Sequence, residues 1–104
     1  ILIREKFYYN PLPEQLELKK SDIDGHGIFA TMDLDKEFDL GATHIKMPIY
    51  NGFVRTPLGG YLNHDESPNC YLTQVYEWDD YKIFHLFTMR KILKGEELLL
   101  DYDG

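Results

Sequence analysis

Apolar positions along this chain recur in short alternating runs, not at helical spacing. Leu16 and Leu18 alternate with polar neighbours from Gln15 to Lys20, which predicts a short strand. Ser21-Asp22-Ile23-Asp24-Gly25 is turn chemistry, and Gly27 to Thr31 reads as the next strand. Phe38 to Gly41 and Ile45 to Met47 predict two short strands separated by a turn. Asn51-Gly52 signals a tight turn, and Leu58 to Leu62 suits a single helical turn. Cys70 to Glu77 and Tyr81 to Thr88, on either side of Trp78-Asp79-Asp80, predict a β-hairpin. Lys91 to Leu100 predicts a turn at Lys94-Gly95 and then a short apolar segment. Pro11 and Pro13 discourage helix near the start, so residues 1–13 read as an arm or first strand. No long amphipathic helical period, repeat or linker is found. The predicted class is mainly β, with many short strands and few short helices.

The length of 104 residues predicts one domain. A hydrophobic share of 43% supports a buried core, and eight Tyr with six Phe favour a sheet-rich one. The formal net charge of -7 disfavours direct nucleic-acid binding and suits a basic partner, such as a lysine-containing protein or peptide. The lone Cys70 excludes an internal disulfide framework and fits a reducing, intracellular compartment. No apolar run is long enough to span a bilayer, and no basic-then-apolar leader opens the sequence. The first residue is Ile1, which fits a trimmed chain.

The most informative chemistry lies in Asn63-His64-Asp65-Glu66-Ser67-Pro68-Asn69. A turn that presents a carboxamide and an imidazole side by side suits a small polar ligand. Taken alone, such a pair is more often a polar loop bonded to its own backbone. Two other segments change its weight: Asp24-Gly25-His26-Gly27-Ile28-Phe29-Ala30, and Ile92 through Gly95-Glu96-Glu97-Leu98 to Asp101-Tyr102. By local sequence the first is an ordinary hairpin turn, and it lacks the third glycine of a dinucleotide fingerprint. Gly25 and Gly27 have no Cβ, so backbone there is expected to approach a ligand closely. His26, His44, His64 and His85 show no metal-ligand spacing.

In this order, over residues 16–102, the three segments resemble the SET-domain family of protein-lysine methyltransferases. The resemblance implies a fold of several short curved sheets with a C-terminal pseudoknot, residues 1–13 remaining an arm. It implies S-adenosyl-L-methionine as cofactor, contacted by Asp24, Gly25, His26, Gly27 and Ile28 largely through backbone, and by Asn63 and His64. It implies Tyr102 as the catalytic residue, placed where a lysine channel meets the cofactor. His44, Tyr61 and Leu100 are further candidates on the substrate or cofactor side. Pro68 and Asn69 are expected to fix the turn structurally, and Cys70 to pack. The implied reaction is in-line methyl transfer to a neutral lysine amine. The alternative is a non-catalytic module of the same fold that binds cofactor or peptide.

The sequence departs from the family pattern in several places. Leu100 stands two residues before Tyr102, where many members carry Tyr or Phe, so a hydroxyl-based limit on the number of methyl groups is less expected unless another Tyr fills the space. Gly60 stands three before Asn63, where many carry Arg. Asp65 and Glu66 follow the Asn-His pair in place of a cysteine. The stretch between Gly41 and Leu58 is short. In these respects the chain resembles the compact, stand-alone viral and bacterial type more than chromatin regulators, and a homodimer is a way to complete the substrate wall.

Overall fold

Strand β1 (Leu16–Lys20) pairs antiparallel with β2 (His26–Ala30), Leu16 opposite Ala30 and Lys20 opposite His26. The computed structural model describes residues 12–48 and 52–102, so most of the predicted arm and Asn51 of the predicted turn lie outside the described residues. Ser21 closes the β1–β2 connection: its Oγ accepts the Ile23 amide at 2.9 Å, and its own N–H donates to Gly25 O at 2.8 Å.

The second sheet has four antiparallel strands in the order β4-β3-β7-β6: β4 (Gly52–Arg55), β3 (Asp39–Met47), β7 (Tyr81–Thr88) and β6 (Cys70–Trp78). Strand β3 corrects the sequence reading, being one nine-residue strand instead of two short ones. The predicted break is absorbed by register shifts between Asp39 and Gly41 and between Ala42 and His44. Asp39 Oδ1 accepts the Gly41 amide at 2.9 Å across this irregularity. Bulges of this kind keep a strand going while bending it. The β6–β7 hairpin forms as predicted, with Trp78 ending β6. Asp79 and Asp80 both have positive φ, 49° and 71°, as a two-residue hairpin turn of matching twist requires.

The predicted helical turn is α1 (Pro57–Gly60). Thr56 caps it, accepting the Gly59 amide at 3.3 Å, and Pro57 suits the first turn because its missing N–H needs no partner. The Thr56 hydroxyl donates to Ala42 O at 2.6 Å, which seats the helix on β3. Leu58 and Leu62 join Leu16, Ile28, Leu40, Leu86, Leu98 and Leu100 in the core.

The third sheet is small and parallel: β5 (Asn63–His64) beside β8 (Leu99–Leu100). Residues 95–100 run between two partners. On one side the Ala30 amide donates to Glu96 O at 2.9 Å and the Leu98 amide to Ile28 O at 2.8 Å. On the other, the Asp65 amide donates to Leu100 O at 3.1 Å and the Asn69 amide to Leu99 O at 3.2 Å. Asn69 is buried, and its side chain donates to Glu97 O and accepts the Leu99 amide, each at 2.8 Å. Its structural role is the one the sequence suggests. This strapping brings three distant sequence motifs to one place.

Candidate active site

Asn63 is the junction. From β5, its Nδ2 reaches Glu97 Oε2 at 2.8 Å, Asp24 O at 3.1 Å and His26 O at 3.3 Å. The amide therefore ties the β1–β2 bend to the C-terminal segment. Gly25 has a φ of +44°, which suits glycine. At Gly27 a different demand acts: a Cβ would stand 2.1 Å from Glu97 Oε2. The space freed by that glycine is filled by the Glu97 carboxylate. Asp24, Gly25 and His26 are exposed, whereas Ile28 is fully buried and its carbonyl accepts the Leu98 amide.

His64 sits beside Tyr102. Its Nδ1 accepts the Tyr102 amide at 3.1 Å, and the two rings stack with centroids 5.6 Å apart. Asp101 Oδ1 stands 3.9 Å from the same nitrogen, too far for a hydrogen bond. The backbone donor makes Nδ1 the acceptor in this contact, which leaves the ring hydrogen on Nε2.

A cavity of about 130 Å³ opens next to this pair. Leu62, Leu72 and Leu100 give it apolar walls, with Phe53, His44, Thr43, Arg55 and Gly59 around them and Tyr102 at its side. The Tyr102 hydroxyl donates to Leu62 O. Burial raises the Tyr102 phenol above its ordinary value of 10, with the Arg55 guanidinium opposing. Burial also lowers His44 below its ordinary 6.5, and here Arg55 acts in the same direction. His44 is held in a stack on Phe84, centroids 4.5 Å apart.

The model of the SET domain matches residues 37–103. The chain belongs to the SET-domain family. It is 30% identical over 99 residues to human histone-lysine N-methyltransferase 2B, and 33% identical over 78 residues to a Saccharomyces cerevisiae histone-lysine N-methyltransferase specific for H3 lysine 36. Those alignments cover 95% and 66% of this chain but only 3% and 10% of the two relatives. This SET-domain chain thus spans a tenth or less of the length of these curated relatives. The fold also matches the crystal structure of a candidate Plasmodium falciparum histone methyltransferase, with a TM-score of 0.71 at 17% identity, covering 88% of this chain and 95% of that one.

Within this SET domain the structure brings Asp24, Gly25, His26, Gly27, Asn63, His64 and Tyr102 into one region, and sets His44 and Leu100 in the cavity wall. Tyr61 is set apart: it caps the C-terminus of α1, is half exposed and does not line the cavity. Among the described residues, Tyr102 is the only phenol in the lining. Cys70 is buried, and burial pushes its thiol up to about 12, which removes it as a thiolate at neutral pH. Sequence reasoning missed Glu97, Ser21 and Arg55. The motif Gly95-Glu96-Glu97 was a usable signal for the first; nothing local marks the other two.

Proposed function

We propose that this SET domain is an S-adenosylmethionine-dependent protein-lysine N-methyltransferase, with Tyr102 orienting a neutral lysine amine for in-line transfer. The observation that carries the reading is the meeting of the Asp24–Ile28 bend, the Asn63-His64 pair and Tyr102 beside an apolar cavity. Histone-lysine methyltransferase relatives point the same way.

The residues present fit the cofactor on an observation about Asn63. Three acceptors surround its Nδ2, so its Oδ1 faces away from them and is an acceptor for an ammonium donor. The bend at Asp24, Gly25 and His26 would offer backbone groups, and His64 Nε2–H a donor. When bound, the cofactor supplies a methyl group activated by a sulfonium.

The apolar walls at Leu62, Leu72 and Leu100 disfavour an ammonium and so favour the free amine, and Arg55 at the rim adds to this. With the cofactor held there, the amine lone pair would form the N–C bond as the methyl–sulfur bond breaks, and alignment by the residues around the cavity would supply most of the acceleration. Tyr102 would act as an acceptor: its proton is committed to Leu62 O, which leaves its oxygen lone pairs for the amine and the transferring methyl. Its raised pKa keeps it a phenol at neutral pH, which assigns it orientation and electrostatics, not proton abstraction. Leu100 offers no hydroxyl to hold the amine, so a hydrogen-bonded restriction to one methyl does not come from that position.

The test is methyl transfer from labelled cofactor to lysine-bearing protein. Tyr102→Phe is expected to lose about a hundredfold or more in kcat, with cofactor affinity within about twofold of the parent. Equal turnover by both proteins overturns the role of Tyr102. Cofactor binding with no turnover on any lysine substrate favours the non-catalytic alternative.

A further inference from the structure

The Glu97 carboxylate is half-buried where three segments meet. The Ser21 hydroxyl lies 2.8 and 2.9 Å from its two oxygens. The buried Ser21 also organises the bend, through the Ile23 amide. Gly27 lies against the same carboxylate, where a Cβ has no room. Asn63 Nδ2 completes the set at 2.8 Å, shorter than its bonds to the carbonyls of Asp24 and His26. A carboxylate is the stronger acceptor, and a charged partner on the N–H side of an amide makes the carbonyl side a better acceptor.

We propose that Glu97 is a positioning residue for the cofactor: it holds the Asn63 carboxamide with Oδ1 turned outward as an acceptor for the α-ammonium of S-adenosylmethionine. This rests on the reading above that Asn63 contacts the cofactor. The Ser21 hydroxyl keeps the carboxylate from rotating away, and Gly27 lets it come close. A packing role alone would not need a charged group aimed at a carboxamide.

The test is a double-mutant cycle read by calorimetric titration of S-adenosylmethionine, without any turnover. The proteins are the parent, Glu97→Ala, Asn63→Ala and the double variant. Cofactor is carried to millimolar concentration, so that losses of about a hundredfold are still measured. Glu97→Ala is expected to weaken binding about tenfold in the parent and less than about twofold in the Asn63→Ala background, because a residue acting through another loses its effect when that one is gone. Equal weakening in both backgrounds, or none in the parent, overturns the role of Glu97. Unchanged binding by Asn63→Ala sinks the reading of Asn63 itself; weakened binding by Asn63→Ala with Glu97→Ala intact sinks only the role of Glu97. If Glu97→Ala melts below the assay temperature, Glu97→Gln goes through the same cycle. It keeps the volume and one acceptor oxygen, so the expected loss is about threefold, again absent without Asn63.

Discussion

Within the cavity, single residues are tuned by their neighbours more than by their type. His44 is the clearest case. Burial, then Arg55, holds it below 6.5. A histidine kept neutral by the fold contributes stability above the unfolded value, and that contribution is lost as pH falls through the folded one. By NMR titration His44 should therefore titrate below 6.5, and Arg55→Gln should bring it only part of the way back, since burial is the larger cause. Full return to the ordinary value would show that Arg55, not burial, dominates. The same scale explains what the sequence left hidden. Asn63, His64 and Tyr102 stand in short motifs that carry their chemistry on the page. Glu96 and Glu97 are indistinguishable as letters, yet Glu96 turns outward to Arg90 at 3.0 Å while Glu97 turns inward to Ser21 and Asn63. Only the alternation of an extended segment, once placed, separates them.

Among elements, the connection that decides the site is made by Asn69. Its buried side chain satisfies Glu97 O and the Leu99 amide at once. Asn69→Ala leaves one half-buried acceptor and one half-buried donor unpaired, and should cost about 2–4 kcal/mol in urea unfolding. A loss under about 0.5 kcal/mol would mean that solvent replaces both bonds. The hairpin β6–β7, the strands β1 and β2 and the turn α1 were legible, because alternation and turn residues act locally. Strand β3 was not, since Gly41 reads as a break and only its partners on β7 and β4 show that the strand continues through a bulge. The pairing of β5 with β8 was legible only through resemblance. Two-residue strands 36 positions apart carry no periodic signal of their own.

For the molecule as a whole, charge is the broadest property with a functional consequence. A net charge of -7 should draw lysine substrates that have basic flanks, and this attraction is screened by salt. Raising ionic strength from about 0.05 to about 0.5 M should raise KM for an Arg- and Lys-flanked peptide several-fold and leave kcat nearly unchanged. A neutral-flanked peptide should respond far less. Matching salt responses would remove charge from the account of substrate choice.

The bonds between Ser21 and Glu97 join residues 76 positions apart. On the ribosome, the bend around Gly25 emerges long before the carboxylate that will lock it. Until residues 97–102 have left the exit tunnel, Glu97 cannot reach Asn63 and Tyr102 cannot reach His64. Ordering across such a span requires closing a very long loop, which slows folding. Nascent chains of this protein should therefore lack this junction until Tyr102 has left the tunnel, and the folded site should appear in one late step.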